Sequence, residues 1–103
     1  MDITVQELRE KLRTGLPVIL VDVREPWEHE EFNIGGWLIP VGRMLEEWEL
    51  LKAYKEEEVV VYCRSGVRSA TAQAILQAQG FKHVRNLIGG MIAWRSTFGD
   101  VPK

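Results

Sequence analysis

The stretch Val59-Val60-Val61-Tyr62-Cys63-Arg64-Ser65-Gly66-Val67-Arg68-Ser69 decides the fold. Val59 to Tyr62 is a continuous apolar run, largely β-branched and too short for a typical helix, so it reads as a strand buried on both faces. Cys63 to Arg68 reads as a short polar loop. Ala70 to Gln79 is alanine-rich and helical in propensity, with Gly80 placed as its C-terminal cap. A buried strand, a tight loop and a helix in succession are the unit from which parallel α/β sheets are built.

The rest of the chain repeats the pattern. Val18 to Val21 is a second buried strand candidate, and Asp22 and Arg24 leave its end. Gly36 to Ile39 is a short strand candidate closed by Pro40, and His83 to Leu87 is a further one. Thr4 with Glu7 three residues later reads as a capping box, followed by Val5, Leu8 and Leu12 at helical spacing. Gly15 and Pro17 close that helix. Met44, Leu45, Trp48 and Leu51 fit one helical stripe. Glu25 to Glu31 is a polar excursion with room for a short helix. Gly89 and Gly90 introduce a last turn and a short helix through Trp94. Connections too long for hairpins join the strands, which predicts a mostly parallel sheet covered by helices on both faces. The expectation is one domain over 1–103, with 97–103 as a short C-terminal tail.

Composition narrows the function classes. At 103 residues, 46% hydrophobic and 27% charged, the chain can bury a core and keep a solvated surface. A net charge of -2 gives no electrostatic attraction to nucleic acid or an anionic membrane. No run approaches the ~20 apolar residues of a membrane span. Met1-Asp2-Ile3-Thr4 lacks the stretches of a signal peptide, so a cytoplasmic protein is expected. One cysteine excludes an internal disulfide, and with two histidines it makes a structural zinc site unexpected. No metal or other cofactor is expected.

Ligands of parallel α/β sheets bind beyond the carboxyl ends of the strands. Cys63 stands at one such end, and Asp22 and Arg24 at another. The backbone N–H groups of a loop this tight can turn inward as an anion nest, and the following helix adds its positive end. Gly66 permits the backbone geometry, and Arg64 and Arg68 bring two guanidinium groups. All of these favour a thiolate at Cys63. Free cysteines are often buried and inert. A core cysteine, however, is not usually followed at a strand end by Arg-Ser-Gly and a second arginine.

Three blocks together carry a family resemblance that covers nearly the whole chain: Val21 to Pro26, Val60 to Ser69, and Asn86 to Trp94. In this order they resemble the rhodanese-like sulfurtransferase domain in its single-domain form. The block Asn33 to Pro40 departs from the family pattern, which has histidine at the place of Asn33 and proline at that of Gly35. The resemblance implies an α/β fold with a mostly parallel sheet of about five strands, flanked by helices on both faces. It implies Cys63 as the catalytic sulfur carrier, holding a persulfide. Arg64, Ser65, Gly66, Val67 and Arg68 would form the substrate-binding loop, with backbone amides and either Arg68 or Arg64 steadying an anionic leaving group. Asp22, Arg24 and Ser69 would support the site, the first two as a hydrogen-bonded brace. The implied activity moves sulfane sulfur from thiosulfate or a persulfide donor to a thiol or cyanide. The alternative is a sulfur-relay module that takes its persulfide from a partner protein. A non-catalytic interaction domain is disfavoured, because family members of that kind commonly lack the cysteine.

Related phosphatases and arsenate reductases use a cysteine loop one residue longer. This chain has four residues between Cys63 and Arg68, a smaller cradle suited to sulfur rather than a tetrahedral phosphate. Tyr62, not histidine, precedes the cysteine. Among the remaining residues, His29 is expected to be solvent-exposed in its loop and His83 to lack a catalytic companion. Trp27 and Trp37, with Phe32, would either rim the mouth of the site or pack into the loops. Trp94 is expected to pack. Glu28, Glu30 and Glu31 would exclude bulky anions or form a solvated face.

Overall fold

The computed structural model describes residues 2–101. Nine elements carry the fold. They are α1 (Val5–Arg13), β1 (Ile19–Asp22), α2 (Pro26–Glu31), β2 (Trp37–Leu38), α3 (Met44–Glu47), β3 (Glu58–Tyr62), α4 (Val67–Ala78), β4 (His83–Asn86) and α5 (Gly90–Phe98). Turns of 3-10 helix flank α3, over Val41–Arg43 and Trp48–Tyr54. The four strands form one parallel sheet in the order β2-β1-β3-β4.

The buried strands acquire two cores because side chains alternate across a sheet. Val59, Val61 and Cys63 join Val21, Met44, Leu51, Ala72 and Leu76 on one face, under α3 and α4. Val60 and Tyr62 join Leu20, Val5, Leu8, Met91 and Trp94 on the other, under α1 and α5. Helices thus cover both faces, as the unbroken apolar runs of β1 and β3 require.

The sheet has four strands, not five. The place of a fifth is held by a single bridge between Ile3 and Leu87. Ile3 donates its N–H to Asn86 O at 3.0 Å and accepts from Ile88 N at 2.9 Å. Pairing stops there because Thr4 caps a helix: its Oγ1 accepts the Glu7 N–H at 3.1 Å, and the chain coils from Val5.

Two boundaries also differ from the sequence reading. Val67 and Arg68, read as loop, are the first turn of α4, because Gly66 at φ 106° turns the chain directly into helix. An L-residue there would meet the left-handed penalty. Thr97 and Phe98, read as tail, are the last turn of α5; Phe98 packs edge-on against Trp94 with ring centroids 5.0 Å apart. The next residues are tied down too, as Trp94 Nε1 donates to Val101 O at 2.6 Å and Arg95 Nε to Asp100 Oδ1 at 2.7 Å.

The register sets Asp22 of β1 beside Tyr62 of β3, and Val61 beside Asn86 of β4. The carboxyl ends of three adjacent strands therefore meet where Cys63 begins its loop.

Candidate active site

Cys63 leaves β3 with its side chain 1% exposed, and its sulfur does the work of a helix cap. The first N–H groups of a helix have no partner within it. Here Cys63 Sγ accepts from Gly66 N at 3.0 Å and from Ser69 N at 3.4 Å, and it lies 3.3 Å from Ser69 Oγ. Burial pushes the thiol's pKa up, but the Ser69 hydroxyl and the N–H groups of Ser69, Gly66 and Ser65 outweigh it, and the net direction is down. The sulfur is thus prepared to be an anion chiefly by amides and a hydroxyl.

The loop is locked from the far side by α5. Met91 N donates to Cys63 O at 2.9 Å and Ile92 N to Arg64 O at 3.0 Å. A Cβ on Gly90 would stand 2.4 Å from Cys63 O, so only glycine allows this approach.

Arg68 is not aimed at the sulfur as a free cation. Its guanidinium forms a two-pronged pair with Glu28, Nη1 to Oε1 at 2.7 Å and Nη2 to Oε2 at 2.8 Å. Glu28 sits in the first turn of α2, where its Oε1 also accepts the Glu25 N–H at 3.0 Å. The Arg68 hydrogen bonds overcome burial and hold the Glu28 carboxyl at about 2, so it is ionised across the neutral range. Sequence reasoning missed this role. Pro26 at a helix start with Glu28 two residues on was the available signal for α2, but nothing local points to Arg68, forty positions away.

Asp22 is fully buried and Arg24 nearly so. Asp22 Oδ1 accepts from Arg24 N and Nε, both at 3.0 Å, and Oδ2 from Nη2 at 2.8 Å. Arg24 Nη2 also donates to Phe32 O at 2.6 Å. The pair ties the end of β1 to the end of α2. His29 joins it rather than facing solvent: its Nδ1 lies 2.8 Å from Asp22 Oδ2, since α2 turns that face of the polar excursion inward. Ser69 is buried, and its Oγ lies 2.6 Å from Asn86 Oδ1, a residue to which the sequence reading gave no role at the site.

A cleft of about 160 Å³ opens beside the loop. Trp27, Met91 and Ile92 supply its apolar lining, and Arg24, Arg64, Arg95, Glu28 and Glu31 its charged lining. Trp27 therefore stands at the mouth. Trp37 does not: it lies on β2, packed edge-on against Tyr54 with centroids 6.3 Å apart. Ser65 and Val67 are exposed on the loop and the first turn of α4. Arg64 is exposed and has no ion-pair partner among the described residues.

Fold and site together define an α/β protein that presents a single activated cysteine in an amide nest at the end of a parallel strand. The family model for the rhodanese-like domain matches residues 4–97, and the chain belongs to that family. It is 40% identical over 93 residues to the probable adenylyltransferase/sulfurtransferase MoeZ of Mycobacterium tuberculosis, covering 89% of this chain and 24% of that protein. It is 39% identical over 99 residues to a sulfurtransferase of Allochromatium vinosum, covering 90% of this chain and 86% of that one. Among solved structures, a rhodanese-like domain protein from Staphylococcus aureus superposes with a TM-score of 0.77 at 36% identity, covering 91% of each chain.

Proposed function

We propose that the chain is a sulfurtransferase in which Cys63 carries the sulfur. The observation that supports this most is the surround of Cys63 Sγ by the Gly66 and Ser69 N–H groups and the Ser69 hydroxyl. That arrangement favours a thiolate and equally suits the charge of a persulfide.

With thiosulfate, the thiolate's electron pair attacks the outer, sulfane sulfur. A Cys63–sulfur bond forms, the sulfur–sulfur bond of the donor breaks, and sulfite leaves with that bonding pair. Arg64, exposed at the cleft and unpaired among the described residues, is the cation best placed to meet the anionic donor. A thiolate or cyanide then attacks the terminal sulfur of the persulfide. Cys63 leaves as thiolate, and a new persulfide or thiocyanate departs. No proton or external electron is needed in either half. Donors other than thiosulfate, including a persulfide on a small thiol or on a relay protein, fit the same two steps. A cytoplasmic setting belongs to this proposal, because the cycle needs a free thiol and reducing compartments maintain one.

Intact-mass spectrometry after donor treatment tests the assignment. The native chain gains one sulfur, which cyanide removes as thiocyanate, and Cys63→Ala gains none. A sulfur adduct persisting on the alanine variant, or no adduct on reduced native chain with any of several donors, overturns it.

A further inference from the structure

The side-chain amide of Asn86 faces the active-site loop in a fixed sense. Its Nδ2 donates to Gly66 O at 3.0 Å, so its Oδ1 must be the atom turned to Ser69. Oδ1 carries no hydrogen. The 2.6 Å contact between Asn86 Oδ1 and Ser69 Oγ is therefore donated by the serine. A hydroxyl has one hydrogen, and Ser69 Oγ also touches Cys63 Sγ at 3.3 Å. Two acceptors thus compete for one proton. While Cys63 is a thiol, no conflict exists: S–H donates to Ser69 Oγ, and Ser69 donates to Asn86. Once Cys63 is a thiolate, the hydroxyl serves sulfur only by turning away from Asn86. The Nδ2 bond to Gly66 O anchors the Asn86 amide, so following the hydroxyl would break it.

We propose that Asn86 is a positioning residue that acts on Cys63 through Ser69, competing with the sulfur for the hydroxyl's one hydrogen and so weakening that hydroxyl's hold on the thiolate. The consequence for catalysis rests on the sulfur-transfer reading. A thiolate that must share the hydroxyl leans more on its amide donors and is the stronger nucleophile for it. The other charged groups around the sulfur are independent of this contest. Arg68 of α4 is bound to Glu28 of α2, Arg24 is bound to Asp22 at the end of β1, and Arg64 is exposed on the loop. α5 presents backbone N–H groups to the loop carbonyls.

The test is a titration of the reduced free protein, following thiolate absorbance near 240 nm, which is independent of any transfer activity. Asn86→Ala releases the Ser69 hydrogen to sulfur and raises the Cys63 ionisation constant by up to about tenfold, the effect of one hydrogen bond. In a Ser69→Ala background the same substitution has no such effect. Asn86→Asp keeps the shape, loses the donor to Gly66 O and holds the hydroxyl more tightly, so it lowers the ionisation constant. Part of that shift disappears when Ser69 is absent. Folding of each variant is checked by circular dichroism, and either substitution suffices for the cycle. A shift of equal size with and without Ser69, or no shift at all, overturns the proposal and leaves the sulfur-transfer assignment standing.

Discussion

Replacing Glu28 by glutamine isolates the ion pair that the structure puts beside the cysteine loop. The carboxyl is held at about 2 against an ordinary value of 4.5, first by the Arg68 hydrogen bonds, against the opposing effect of burial. Taken at face value, that gap is about 3 kcal/mol of folding stability at neutral pH. The Arg68 side chain is 33% exposed while that of Glu28 is 10% exposed, so solvent screens one side of the pair. Screening reduces the contribution to about 1–2 kcal/mol. The sign follows from the direction of the shift. A carboxyl depressed by folding stabilises fully above the unfolded value of 4.5, and the contribution is lost as pH falls toward about 2. Glu28→Gln is therefore less stable than the parent by about 1–2 kcal/mol at pH 7, measured by urea unfolding. The deficit shrinks to roughly half or less by pH 3. A deficit as large at acid pH as at neutral pH would show that packing, not charge, is what glutamine disturbs. No deficit at pH 7 would refute the pair's contribution altogether.

Other perturbations follow from the same geometry. Gly90→Ala puts a methyl group 2.4 Å from Cys63 O at a residue with φ 53°, so it costs about 2 kcal/mol or more in urea unfolding; an unchanged midpoint contradicts the close approach. Arg64→Ala lowers kcat/KM for thiosulfate about tenfold by removing one charge-assisted contact, with little change in unfolding midpoint. If Arg68→Ala instead has the larger kinetic effect and no effect on stability, the assignment of Arg64 as the anion-facing cation is wrong.

Local patterns in the sequence revealed β1, β3, α4 and Cys63, because each rests on residues near one another. The run Val59 to Val61 is apolar at every position, which only a strand buried on both faces tolerates. Four features lay outside such reading. The Glu28–Arg68 pair joins residues from different helices, and Asn86 reaches Ser69 from another strand end. His29 looked exposed among Glu28, Glu30 and Glu31, yet one face of a short helix turns toward buried Asp22. Ile3 has the β-branched side chain of a strand residue, but Thr4 commits the next residue to a helix, and the expected fifth strand stops at one bridge.

The pairing of the arginines explains how the site can favour a thiolate without spending its reactivity. Arg68 occupies the second position of α4, an unfavourable end for a cation beside the helix dipole, and Glu28 brings the compensating charge. Arg24 is matched by Asp22, and Arg95 by Asp100. A full guanidinium charge against the sulfur would deepen the thiolate's stability, and a more stable thiolate is a weaker nucleophile, with a Brønsted slope of about 0.4–0.5. Amide N–H groups give a gentler bias. They also remain in place after sulfur is transferred, so they serve thiolate and persulfide with no rearrangement of charge. Asn86 works in the same direction by contesting the Ser69 hydrogen. Among the described residues lining the cleft, Arg64 is the arginine left without an ion-pair partner, and on the proposed reading it is the one that meets an anionic donor, from the exposed side of the loop.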